Sequence, residues 1–223
     1  MAKRQSIMGL EEKNNLTAYV NFNILEGMRP DAREMSAIVC QSNNKFWMYG
    51  GKASDVYNDI WCYSVDKNSW HNPFYDKKSD TTGRYGHSMI SFKKQLVIFG
   101  GEKKHHISNR FEVCSELKVF NADKEDWFIV KNFSDVLEPR RNHCASLYGH
   151  FMIVIGGNQG SYGKLLSDIW SLDMFNIKWS KIRPENSHLL NRGLSYAGSC
   201  SVFREEVLVK GILAPSESLM NSY

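Results

Sequence analysis

Few residues in this 223-residue sequence have the type and spacing that chemistry uses. Two histidines stand side by side in Lys103-Lys104-His105-His106, with Arg110 shortly after. Histidine ligates metals, but adjacent side chains project in different directions. No Cys, His or carboxylate set at ligand spacing surrounds the pair, so no metal is expected. The cysteines (Cys40, Cys62, Cys114, Cys144, Cys200) are odd in number, far apart and without a C-x-x-C pair. That spacing argues against a disulfide frame or a zinc site, and for reduced thiols packed as small hydrophobes. No G-x-S-x-G, P-loop, H-E-x-x-H or kinase-like set occurs. No catalytic residue, no cofactor and no enzyme activity is expected.

The remaining chemistry is charge pairing, and it is periodic. Arginines at Arg33, Arg84 and Arg140 each stand 16 or 17 residues before a glycine pair: Gly50-Gly51, Gly100-Gly101 and Gly156-Gly157. After each pair and a variable polar stretch comes an acid leading an apolar run, at Asp59, Glu116 and Asp168, and 11 residues beyond each acid stands a tryptophan, Trp70, Trp127 and Trp179. Two of the arginines carry a histidine three residues on, His87 and His143. The arginines and acids are placed to pair within or between repeats. Glycine after a buried strand lets the backbone take positive φ and approach closely, and the tryptophans offer broad surface between neighbouring units.

These residues must be held by short strands. The runs before the glycine pairs (Phe46–Tyr49, Leu96–Phe99, Met152–Ile155) are rich in β-branched and aromatic residues, bounded by polar clusters, and lack a helical period. Four such runs recur in each repeat of about fifty residues, the length of a propeller blade. Strands are predicted at about 34–40, 45–49, 59–65 and 69–75, then 86–92, 95–99, 113–121 and 126–132, then 143–148, 151–155, 168–173 and 177–182. Hydrophobic residues at 42% and aromatics at 13% supply a core for such an array. The formal charge of +4 is scattered, without the single-sign run that tracks phosphate backbones, so nucleic acid is not an expected partner. No segment is apolar for long enough to span a bilayer and residues 1–16 lack a signal-peptide core, so the expectation is a cytoplasmic protein without membrane contact.

The order Arg-x-x-His, apolar run, Gly-Gly, acid-apolar run, Trp resembles the kelch family over roughly residues 17–210. The resemblance implies an all-β kelch-type propeller. Three four-stranded blades are expected, at about 33–75, 84–132 and 140–182. A partial fourth, opened by Arg192 at about 192–211, combines with residues 17–24. Residues 1–16 are expected to be a flexible polar segment and 212–223 an irregular tail. Closure would pair the strand near 17–23 with strands near 195–210. Kelch propellers usually have five to seven blades, so the chain is expected to be an incomplete ring, a fragment or a short isoform. Two enzyme classes of this fold are not matched: the secreted copper oxidases need a complete ring, and the iron-dependent specifier proteins need a Glu-x3-Asp-x3-His run absent here.

The family resemblance implies a scaffold that binds protein. The stretches after the glycine pairs, 52–58, 102–111 and 158–167, vary most between repeats, and loops commonly carry binding residues. The candidate partner contacts are Lys103, Lys104, His105 and Arg110, a basic cluster suited to an acidic surface, and Tyr162 in a flexible polar loop. The alternative reading is a propeller piece that serves or regulates an enzyme domain carried elsewhere, such as substrate recognition in trans for a ubiquitin ligase.

Overall fold

The structure, a computed structural model, describes residues 27–42, 44–74, 82–104, 110–130, 137–160 and 163–183, together with strands at both ends. Near the N-terminus β1 (Gln5–Ser6) pairs with β2 (Tyr19–Val20). The first blade is β3 (Ala37–Ser42), β4 (Lys45–Tyr49), β5 (Ile60–Ser64) and β6 (Ser69–His71), an antiparallel meander in chain order. After β7 (Arg84–Tyr85), the second blade uses β8 (Ser88–Phe92) and β9 (Gln95–Phe99). It is interrupted by β10 (Glu102–Lys104) and β11 (Phe111–Val113), then completed by β12 (Leu117–Asn121) and β13 (Asp126–Ile129). The third is β14 (Cys144–Tyr148), β15 (Phe151–Ile155), β16 (Ile169–Asp173) and β17 (Lys178–Ile182). A further antiparallel pair, β18 (Leu194–Phe203) with β19 (Glu206–Leu213), follows. No helix occurs among the described residues.

First strands of successive blades lie side by side, β3 by β8, β8 by β14 and β14 by β18, which is the arrangement of a β-propeller. The expected ladder between residues 17–23 and 195–210 is not among the described pairings, where β2 is bonded to β1 and β19 to β18.

Alternation along each strand sends one set of side chains to each neighbouring blade. Trp47, Tyr49, Ile60 and Cys62 of blade 1 meet Met89, Leu96, Ile98 and Phe120 of blade 2. The opposite face of blade 2, with Ile90, Val97, Phe99 and Val119, meets Met152, Val154, Leu172 and Trp179 of blade 3. Each fully buried side chain of this size contributes about 1.5–3 kcal/mol from loss of contact with water.

The sequence predicts one strand over 113–121. The structure instead has two, β11 and β12, separated by Cys114–Glu116. β10 and β11 form a hairpin that joins β7 in its own three-stranded sheet, in a stretch the sequence reads as loop.

Candidate functional site

The repeated residues gather at the end of the propeller where the glycine pairs turn. Gly100 and Gly101 have φ of 66° and 92°, and a Cβ on Gly100 would lie 2.6 Å from the Arg140 carbonyl oxygen, so only glycine fits. The space is taken because the next blade is hydrogen-bonded there: Gly51 N–H donates to Arg84 O and Gly101 N–H to Arg140 O, both at 2.9 Å. Arg84 and Arg140 therefore each link two blades. In both, the backbone carbonyl accepts from the preceding blade, and the side chain serves its own.

Arg33 donates to Gly50 O at 3.1 Å and through both terminal nitrogens to Asp59. Arg140 does the same with Gly156 O at 3.0 Å and the Asp168 carboxylate at 2.7 and 3.0 Å. Arg84 reaches Gly100 O at 2.9 Å and one oxygen of Glu116 at 2.7 Å. Arg84 and Arg140 are fully buried. A two-pronged guanidinium–carboxylate pair with a carbonyl completing the donor set is the geometry that lets such a charge be buried. Burial acts to raise Asp168, but the Arg140 hydrogen bonds and charge and the Trp170 N–H outweigh it and hold the carboxyl below its ordinary value.

The histidines and two of the tryptophans clasp the residue before the first and the second glycine pair. His87 packs edge-on against Tyr49 and Trp127 against its other side, with centroids 5.3 and 5.0 Å away. His143 and Trp179 clasp Phe99 in the same way, at 5.3 and 5.1 Å. Trp70 stacks within its own blade on Tyr63. Burial, with the Arg140 charge behind it, lowers the His143 pKa to about 3. His87 is lowered well below the ordinary value by burial and Arg84. Both imidazoles are therefore neutral packing groups.

Sequence reasoning missed a buried polar chain across the same end. Tyr85 donates to Glu102, Arg141 donates to the same Glu102 oxygen, and Arg141 Nε donates to Asn158 at 3.2 Å. Lys52 Nζ sits 4.7 Å from the Tyr85 ring centre. The chain runs from blade 1 through blade 3, and Tyr85, Glu102, Arg141 and Asn158 are all buried. A signal for it is present in the sequence. The residue after each repeat arginine (Glu34, Tyr85, Arg141) pairs in register with the residue after each glycine pair (Lys52, Glu102, Asn158).

The candidate partner contacts are split. Lys103 is largely covered and donates to Glu116. Lys104 lies 3.7 Å from Asp55 of blade 1, with both side chains exposed. Arg110 is exposed beside Phe111, which is 53% exposed and stands on β11. His105, Tyr162 and Arg192 lie outside the described residues. Phe111, which no sequence motif singled out, is thus an exposed aromatic group on the loop that follows the second glycine pair.

The KLHDC2/KLHL20/DRC7 Kelch-repeats domain matches residues 17–211. The chain belongs to the kelch-repeat family. Similar kelch proteins include Kelch domain-containing protein 3 of Homo sapiens, 23% identical over 199 residues, covering 86% of this chain and 50% of the relative. F-box/kelch-repeat protein At1g51550 of Arabidopsis thaliana is 26% identical over 195 residues, covering 81% of this chain and 38% of the relative. Among solved structures, that of YjhT is similar at a TM-score of 0.68 and 15% identity, covering 89% of this chain and 63% of the other. The kelch chain spans about half the length of the curated relatives it matches. Kelch repeats generally mediate protein–protein interactions and are generally non-enzymatic.

Proposed function

We propose that this chain is a non-enzymatic protein-interaction module, a kelch scaffold or adaptor whose partner meets the loops that follow the glycine pairs. One observation carries the reading: at this end the backbone frame repeats while the loops diverge. A single bridge closes the loop of blade 1 (Lys52 with Val56) and that of blade 3 (Asn158 with Leu165), whereas blade 2 builds the β10–β11 hairpin and exposes Phe111. An exposed aromatic on a hydrogen-bonded hairpin, beside exposed Arg110 and Lys104, has the composition of an interface anchor. The free thiols at Cys40, Cys62, Cys114 and Cys144 support a cytoplasmic setting.

A second reading, that the propeller serves an enzyme domain carried elsewhere, draws on the relative that joins kelch repeats to an F-box in its name. Site-specific photocrosslinking tests the first. A benzophenone amino acid replacing Phe111 is expected to capture a discrete protein from cells. The same group replacing Phe175, which is 60% exposed at the opposite end, is expected not to capture that protein. Equal capture at both positions would count against the assignment.

A further inference from the structure

Blade 2 breaks the repeat at one place, and the break leaves positive charge without a counterpart. In blades 1 and 3 the acid is aspartate and the residue two further on is tryptophan, whose Nε1–H donates back to that aspartate: Trp61 to Asp59 at 2.7 Å and Trp170 to Asp168 at 2.6 Å. The arginine Nε of each blade donates to the carbonyl two residues earlier, Arg33 to Asp31 at 3.0 Å and Arg140 to Glu138 at 3.1 Å. Every guanidinium nitrogen in these two blades' clusters has an acceptor.

In blade 2 the corresponding residues are Glu116 and Lys118. Both Glu116 oxygens are engaged, one by Arg84 and one by Lys103. Lys118 Nζ donates instead to Thr82 O at 3.2 Å, the very carbonyl that would serve the arginine Nε in this blade, and Tyr49 OH donates to the same oxygen. Arg84 Nε, wholly buried, has no hydrogen-bond partner. Two cationic side chains thus share one carboxylate and a third, Lys118, is bonded to none, against one arginine per aspartate in blades 1 and 3. A buried guanidinium N–H without an acceptor is costly, and an ammonium held only by a neutral carbonyl keeps capacity for further acceptors.

We propose that blade 2 carries an oxyanion-binding site centred on Lys118 Nζ, taking a carboxylate or phosphate group, with the Arg84 guanidinium as its second source of positive charge. Access is from the side of Lys118, which is partly exposed, since Arg84 is not. Burial, and then the charge of Arg84, lower the Lys118 pKa from 10.5 to about 7, while Glu116 and Cys114 act the other way and Lys103 adds to the lowering. An anion seated there relieves the repulsion and restores the ammonium. The site is independent of the partner surface at Phe111.

The test is NMR of the whole chain with lysine labelled at Cε. Sodium acetate and, separately, inorganic phosphate are titrated at constant ionic strength with chloride as balance. The Lys118 signal is expected to shift saturably with at least one of the two anions, and its titration midpoint to rise by about one unit, as an opposite charge within a few ångströms produces. The relative size of the acetate and phosphate responses identifies the preferred group. K118R is expected to keep anion-dependent stabilisation in thermal melts. K118W, which restores the residue of Trp61 and Trp170, is expected to lose it. A Lys118 signal that moves linearly like those of Lys45 and Lys178 would overturn the site, as would stabilisation that persists unchanged in K118W.

Discussion

Blades 2 and 3 share a frame and differ in what they ask of it. In blade 3, Arg140, Asp168 and Trp170 close on one another, with the aspartate accepting from both partners and every guanidinium nitrogen bonded. In blade 2 the longer Glu116 is shared between Arg84 and Lys103, Lys118 takes the tryptophan position, and the loop after the glycine pair becomes a hairpin. The inter-blade bonds are nonetheless the same, Gly51 to Arg84 and Gly101 to Arg140, at the same length. The lesson is that the repeat fixes backbone docking between blades. The acid cluster beneath the loop is free to vary and to acquire charge.

The comparison can be broken most severely through the buried pairs. R140A leaves Asp168 half-buried with no cation to answer it, and should cost about 3–5 kcal/mol in urea unfolding. R84A should cost less, because Lys103 still holds Glu116; an equal or larger loss would show that the two clusters are not different in kind. W179A, which uncovers Phe99, is expected to cost about 3–5 kcal/mol by the same measurement.

The histidines sharpen the likeness between the blades. The folded pKa of His143 is depressed to about 3, below the unfolded value of 6.5, so the unfolded chain takes up the proton first. Stability is fully present above about pH 6.5 and falls as the pH is lowered toward 3, and His87 adds in the same direction. H143Q should flatten that acid limb in pH-dependent melts. An unchanged slope would place the acid sensitivity elsewhere.

A smaller effect separates the blades again. Lys118 is lowered to about 7 from 10.5, so between those values the unfolded state holds the extra proton and stability rises with pH. Measured against K118M at each pH, the wild-type chain should gain stability from pH 7 to 10.5. Wild type and K118M running parallel would mean that Lys118 is solvated. The paired measurement cancels the buried thiols Cys62 and Cys114, whose raised values act oppositely.

Much of this architecture is legible in the sequence, because the residues that specify it are repeated at fixed offsets. The glycine pairs, the tryptophans 11 residues after the acids and the arginines 16 or 17 before the glycines are each forced by a contact between blades or within one. The β10–β11 hairpin was not legible, since Lys103 and Lys104 carry the signature of a solvated loop and their strand pairing depends on β7, which precedes them by a whole hairpin. The Tyr85–Glu102–Arg141 chain was missed for a related reason: its members differ in type from blade to blade, and only their position repeats. Likewise Met35 and Asn142 take φ of 56° and 55° where Gly86 takes 65°, a shared conformation hidden behind three different residues.

The most direct test of the account concerns its two ends. Once a partner is captured at position 111, its affinity for wild type, F111D and F175D is compared by titration calorimetry. The account predicts that F111D weakens binding at least tenfold, about 1.4 kcal/mol, while F175D stays within roughly twofold. Loss of binding in F175D with F111D unaffected would contradict the placement of the partner on the glycine-pair end.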